Sequence, residues 1–67
     1  MNYKIRYINE NGYTLCNSTG TFIPRIGEKM RMQDGYPGIT FVITDVIYEF
    51  KSGMSQYQEV TIHIKPV

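Results

Sequence analysis

Apolar and polar residues alternate one by one along most of the chain, which is the period of an extended strand with side chains on opposite faces. Tyr3, Ile5 and Tyr7 alternate with Lys4 and Arg6, predicting a first strand over 2–8. Asn9-Glu10-Asn11-Gly12 follows, and Asn-Gly is a strong hairpin signal because both residues tolerate positive φ. A second strand, 12–16, is therefore expected to return antiparallel to the first, and Asn17-Ser18-Thr19-Gly20 reads as a break. Gly27 opens a third strand over 28–33, with Met30 and Met32 on one face and Lys29 and Arg31 on the other. Asp34 to Gly38, with two glycines and a proline, reads as a turn. A fourth strand over 39–50 is the longest, 51–56 is a polar loop, and a last strand spans 57–65. In that last strand Val60, Ile62 and Ile64 oppose Glu59, Thr61, His63 and Lys65. No helical period persists beyond a turn. The pattern predicts one all-β domain over 1–67: a small five-stranded antiparallel meander, half closed into a barrel.

Two stretches raise questions that periodicity alone leaves open. In Phe22-Ile23-Pro24-Arg25-Ile26-Gly27, Pro24 fixes its own φ and removes a ladder donor. The segment reads as a crossing loop in which Phe22 or Ile26 plugs one end of the core. The fourth strand is apolar on both sides: Val42, Val46, Tyr48 and Phe50 on one, Phe41, Ile43 and Ile47 on the other. The first set can lie beside Val60 and Ile62. Burying the second requires either a bend, at a bulge near Asp45, or cover from another chain. Phe41, Ile43 and Ile47 are accordingly the expected protein-contact surface.

Composition narrows the function classes. With 67 residues the core is small, and domains of this size often gain stability from a partner. The single cysteine, Cys16, excludes an internal disulfide, and the alternating charged start is unlike a secretory leader, so a cytoplasmic location is expected. Met1 heads the chain, which reads as a complete short frame. No apolar run is long enough to span a bilayer as a helix. His63 is the lone histidine and reads as a solvent-facing strand residue, Cys16 reads as a small buried hydrophobe, and the six carboxylates are scattered. These residues supply no nucleophile–base pair, no carboxylate dyad and no metal-ligand spacing, so neither an enzyme nor a metal or organic cofactor is expected.

Formal net charge is +1, without the overall basic excess of most nucleic-acid binders. Lys4 with Arg6, Lys29 with Arg31, and His63 with Lys65 each share a strand face. Were those faces adjacent, they would form a basic wall with Arg25 at its rim and Tyr36 placed for base stacking. Lys4, Arg6, Arg25, Lys29, Arg31 and Tyr36 are the candidate nucleic-acid or nucleotide contacts of that alternative, with Glu28, Glu49 and Glu59 as neutralising neighbours.

The run "IGEKMRM…GITFVITDVIYEF…EVTIHIKPV" resembles the general grammar of SH3-like small barrels: a Gly-led strand, a turn, a long bent strand, a loop and a closing strand. In style the chain is also similar to short accessory proteins of phages and mobile elements, which often bind and block a host protein. The reading at this level is a non-catalytic binding module that acts by steric or competitive contact with a protein partner or with itself as a homo-oligomer. Open backbone edges offer it a second route, by strand addition.

Overall fold

The computed structural model describes residues 3–32, 35, 37–50 and 57–67. The expected loop at 51–56, Tyr36, and the strand ends at Asn2 and Gln33 lie outside the described residues. Five strands run in chain order: β1 (Tyr3–Ile8), β2 (Thr14–Gly20), β3 (Lys29–Arg31), β4 (Thr40–Phe50) and β5 (Tyr57–Pro66). They form one sheet in the order β2-β1-β5-β4-β3, curled into a half-barrel. Among the described residues no helix is long and apolar enough to cross a membrane.

The sheet is mixed, whereas the alternation predicted an antiparallel one. β1 pairs with β2 antiparallel and β4 pairs with both β3 and β5 antiparallel, but β1 and β5 run parallel. The cause is parity. In an up-and-down meander of five strands the first and last point the same way, so a contact between them must be parallel. Here that contact is made, and the seam opens between β2 and β3. Those two strands become the sheet's edges, and residues 21–28 carry the chain from one edge to the other.

β4 contains a bend that changes which of its two faces meets the core. Phe41 and Ile43 pair with Pro66 and Ile64, and then the register shifts. Asp45, Val46 and Tyr48 pair with His63, Ile62 and Val60, which leaves Thr44 as the extra residue. Opposed residues of a ladder share a face, so one inserted residue exchanges odd for even positions on the core side. Phe41 and Ile43 point inward before the bulge; after it Val46 packs on the core, and Tyr48, opposite Val60, is on the core side but exposed. The core consists of Ile5, Phe41, Ile43, Val60, Ile62 and Ile64, with Tyr3, Tyr7, Leu15, Ile23, Met30, Met32 and Val46 packed around it.

Two turns show how local chemistry positions these strands. After β1, the Asn9 side chain accepts hydrogen bonds from the Asn11 and Tyr13 amides at 3.0 and 2.9 Å, and Gly12 takes a φ of 87°. Asn11 stays at negative φ, so the hairpin is closed by an Asx turn with one left-handed glycine, not by the two-residue Asn-Gly turn. Before β3, the Glu28 amide donates to the Arg25 carbonyl at 3.1 Å and Gly27 adopts φ 93°, as the third position of a type II turn requires. The Glu28 carboxylate reaches back to the Arg25 amide at 2.7 Å. Within the crossing segment Ile23 packs on the core while Phe22 and Ile26 are exposed. The plug is thus Ile23, because Pro24 and the turn behind it swing both flanking side chains outward.

Candidate interaction edge and charged face

The three residues expected to form one docking surface do not share a face. Phe41 and Ile43 are 3% and 1% exposed and belong to the core, while Ile47 lies on the outer face and is 40% exposed. The bulge at Thr44 separates them. Ile47 sits opposite Thr61 as a single apolar residue on a polar surface, a common arrangement.

The outer face carries most of the chain's charge, in rows set by the register. One row runs Thr19, Lys4, Glu59, Glu49 across β2, β1, β5 and β4; the next runs Asn17, Arg6, Thr61, Ile47. Thr61 is 5% exposed, and its hydroxyl accepts from Arg6 Nη2 at 3.5 Å and donates to Glu49 Oε1 at 3.4 Å. Lys4 therefore faces Glu59 and Glu49 within its own row, and Arg6 is linked to Glu49 through the Thr61 hydroxyl. A second basic group lies at the other end of the sheet. Lys29 and Lys65 flank Val42, and Arg31 Nε donates to Thr40 Oγ1 at 2.9 Å. Asp45, opposite His63, is one same-face step from Lys65. Arg25 belongs to neither group; its guanidinium meets Glu28 Oε2 at 3.9 Å within the turn. The basic wall is thus divided into two groups by Glu49, Glu59 and Asp45, and Tyr36 lies outside the described residues.

Cys16 and His63 are on opposite sides of the sheet. Cys16 pairs with Tyr7 on the core side, and His63 pairs with Ile8 on the outer side. Burial raises the Cys16 thiol above its ordinary range, which keeps it protonated and a poor nucleophile. Tyr7 is raised too, first by burial and then by the neighbouring Cys16, with a hydrogen bond from Ser18 opposing. Among the described residues no three His, Cys, Asp or Glu side chains gather as a metal site would require.

The feature that alternation missed is the β2 edge. The polar run Asn17–Gly20 read as a break, yet it continues the strand to seven residues. Among the described residues no strand approaches β2 except β1, so its other side presents unpaired ladder positions. Edge strands are normally guarded by lysine, proline or a bulge that twists them away. β3 is so guarded, being three residues long and carrying Lys29 and Arg31. β2 has neither charge nor proline; from Asn11 to Pro24, fourteen consecutive residues are uncharged. The irregularity opposite Tyr7 and Ile8 affects only its start. That uncharged run was the available sequence signal.

A scan of protein-family models and searches of curated proteins and of solved structures give no match to this chain.

Proposed function

We propose that the chain is a non-catalytic β module of the cytoplasm that works by protein contact, with the β2 edge as the contact. One observation carries this reading: a seven-residue edge strand that lacks any charged guard, opposite a second edge that has two. Strand addition gives affinity through main-chain hydrogen bonds and specificity through the side chains beside them. An occupant bound there would act sterically, by competing for a surface, which is also how an accessory protein blocks a host protein.

The test uses two substitutions that charge the edge while suiting the monomer. Asn17 lies opposite Arg6 and Thr19 opposite Lys4. Asn17→Glu and Thr19→Glu therefore each gain a cation within the sheet, while together they place two carboxylates along the open edge. The tagged chain should recover a protein, a second copy of itself included, from nuclease-treated lysate of its source cell, and the double variant should lose it. Capture that survives both charges, or no capture at all, overturns the reading. Capture abolished by nuclease points to the second reading, single-stranded nucleic acid. The one observation in favour of that reading is the Lys29, Arg31 and Lys65 group, and such binding must weaken steeply with salt.

A further inference from the structure

We infer that the occupant of the β2 edge is a second copy of this chain, paired antiparallel about a two-fold axis through Asn17. This rests on the edge-contact reading above and names its partner. A two-fold perpendicular to a sheet sets each residue i opposite its mate at a constant sum, and Asn17 is the midpoint of Thr14–Gly20. Centring there overlaps all seven residues. It places Asn17 opposite Asn17, Cys16 opposite Ser18 and Leu15 opposite Thr19, with no charge facing a like charge.

Three further features favour a copy over an unrelated strand. The first is the aromatic residue just outside each end of β2. Tyr13 precedes the strand and is 69% exposed; Phe22 follows it and is 74% exposed. The Asn17-centred register carries Tyr13 and the mate's Phe22 to the same end of the ladder, so each end gathers two exposed aromatic residues. The second is charge. The cations nearest the axis, Lys4 and Arg6, lie one strand inward on β1. Across the junction the two β1 strands are three ladder spacings apart, about 14 Å, which exceeds the ~8 Å screening length at physiological salt. The third is closure. β2 joined to β3 of another copy would leave two ends free and grow as a filament, but Lys29 and Arg31 guard that edge. β2 joined to β2 uses up both unguarded edges and stops at two. The product is a continuous ten-stranded sheet.

The experiment uses the purified full chain. Sedimentation mass across a concentration series should rise to twice that of the monomer. Asn17→Glu, which gains Arg6 as a neighbour in the monomer but meets its own copy on the axis, should abolish the doubling without lowering the denaturation midpoint measured at concentrations where the wild type is monomeric. A second readout does not depend on that variant. On the axis the two residue-17 Cα atoms should be about 4.5–5.5 Å apart, within disulfide range. The Cys16→Ser/Asn17→Cys chain should therefore form a linked dimer on mild oxidation, while Cys16→Ser/Glu10→Cys, with its cysteine in the far turn, should not. A wild type that stays monomeric at every concentration, without preferential linking at position 17, overturns the self-pairing. If lysate capture still depends on the edge in that case, the occupant is a different protein; if it does not, the edge reading fails as well. Doubling that persists in Asn17→Glu with linking absent also overturns this geometry.

Discussion

Ile43 and Ile47 are the same residue type four positions apart on one strand, yet they do opposite jobs. Ile43 is enclosed by the core and Ile47 lies in the open beside Thr61. A domain of this length is stabilised by only about 3–10 kcal/mol at the usual per-residue scale. Truncating a buried aliphatic side chain loses transfer energy and leaves a cavity, about 2–5 kcal/mol. Ile43→Ala should consequently bring the chain close to unfolding in urea titration, whereas Ile47→Ala should change stability by less than about 1 kcal/mol. Equal losses at the two positions would contradict the face exchange. It follows that a charged residue at position 43 tests the core and not a docking surface.

At the scale of the element, the decisive feature is one surplus residue. Thr44 donates its hydroxyl to the His63 carbonyl at 3.1 Å, and the Asp45 carboxylate takes the Val46 amide at 3.0 Å, so the bulge satisfies its own polar groups. Deleting Thr44 would join the two halves in phase, with Phe41, Ile43, Val46 and Tyr48 all on the core side and each β5 partner kept. We expect the deletion variant to retain a cooperative urea transition and to bind no hydrophobic dye. A variant that loses the transition would show that the bend itself, and not only the change of faces, holds the fold. The strand's existence and length were legible because eleven extended, β-prone residues permit little else. A bend near Asp45 was one of two solutions to the doubly apolar pattern. Choosing between them required the partner strand, since the register of β5 reveals which residue is left over.

For the molecule as a whole, stability against pH follows from two half-buried acids on the core side. Cys16 and Tyr7 are opposed in register, and both ionise less readily than usual, above about 9 and about 10 respectively. An acid with a higher pKa folded than unfolded keeps its proton longer in the native state. Its contribution is complete below the unfolded value and disappears as pH climbs through the folded one. The urea midpoint should therefore fall as pH passes 9 and then 10. Cys16→Ser should remove the earlier part of the decline and Tyr7→Phe the later. A midpoint that is flat between neutral pH and 11 would contradict the partial burial of both groups.

The same scale separates what residue order carried from what pairing added. Period-two alternation, turn-forming Asn, Pro and Gly, and the lack of any helical stripe dictate an all-β chain of five strands, because side-chain direction along a strand is a local property. Alternation likewise assigned the faces of β1 and β5, and it identified Lys4, Arg6, Lys29 and Arg31 as surface charges. Which strand ends up beside which is not local. The parallel β1–β5 contact, the open seam between β2 and β3, and the division of the basic groups by Glu49 and Glu59 all depend on residues distant in sequence coming together. The β2 edge belongs to that second class. Its polar half, Asn17–Gly20, resembles a loop until β1 pairs with it, and the strand becomes an edge only because closure of the sheet happens elsewhere.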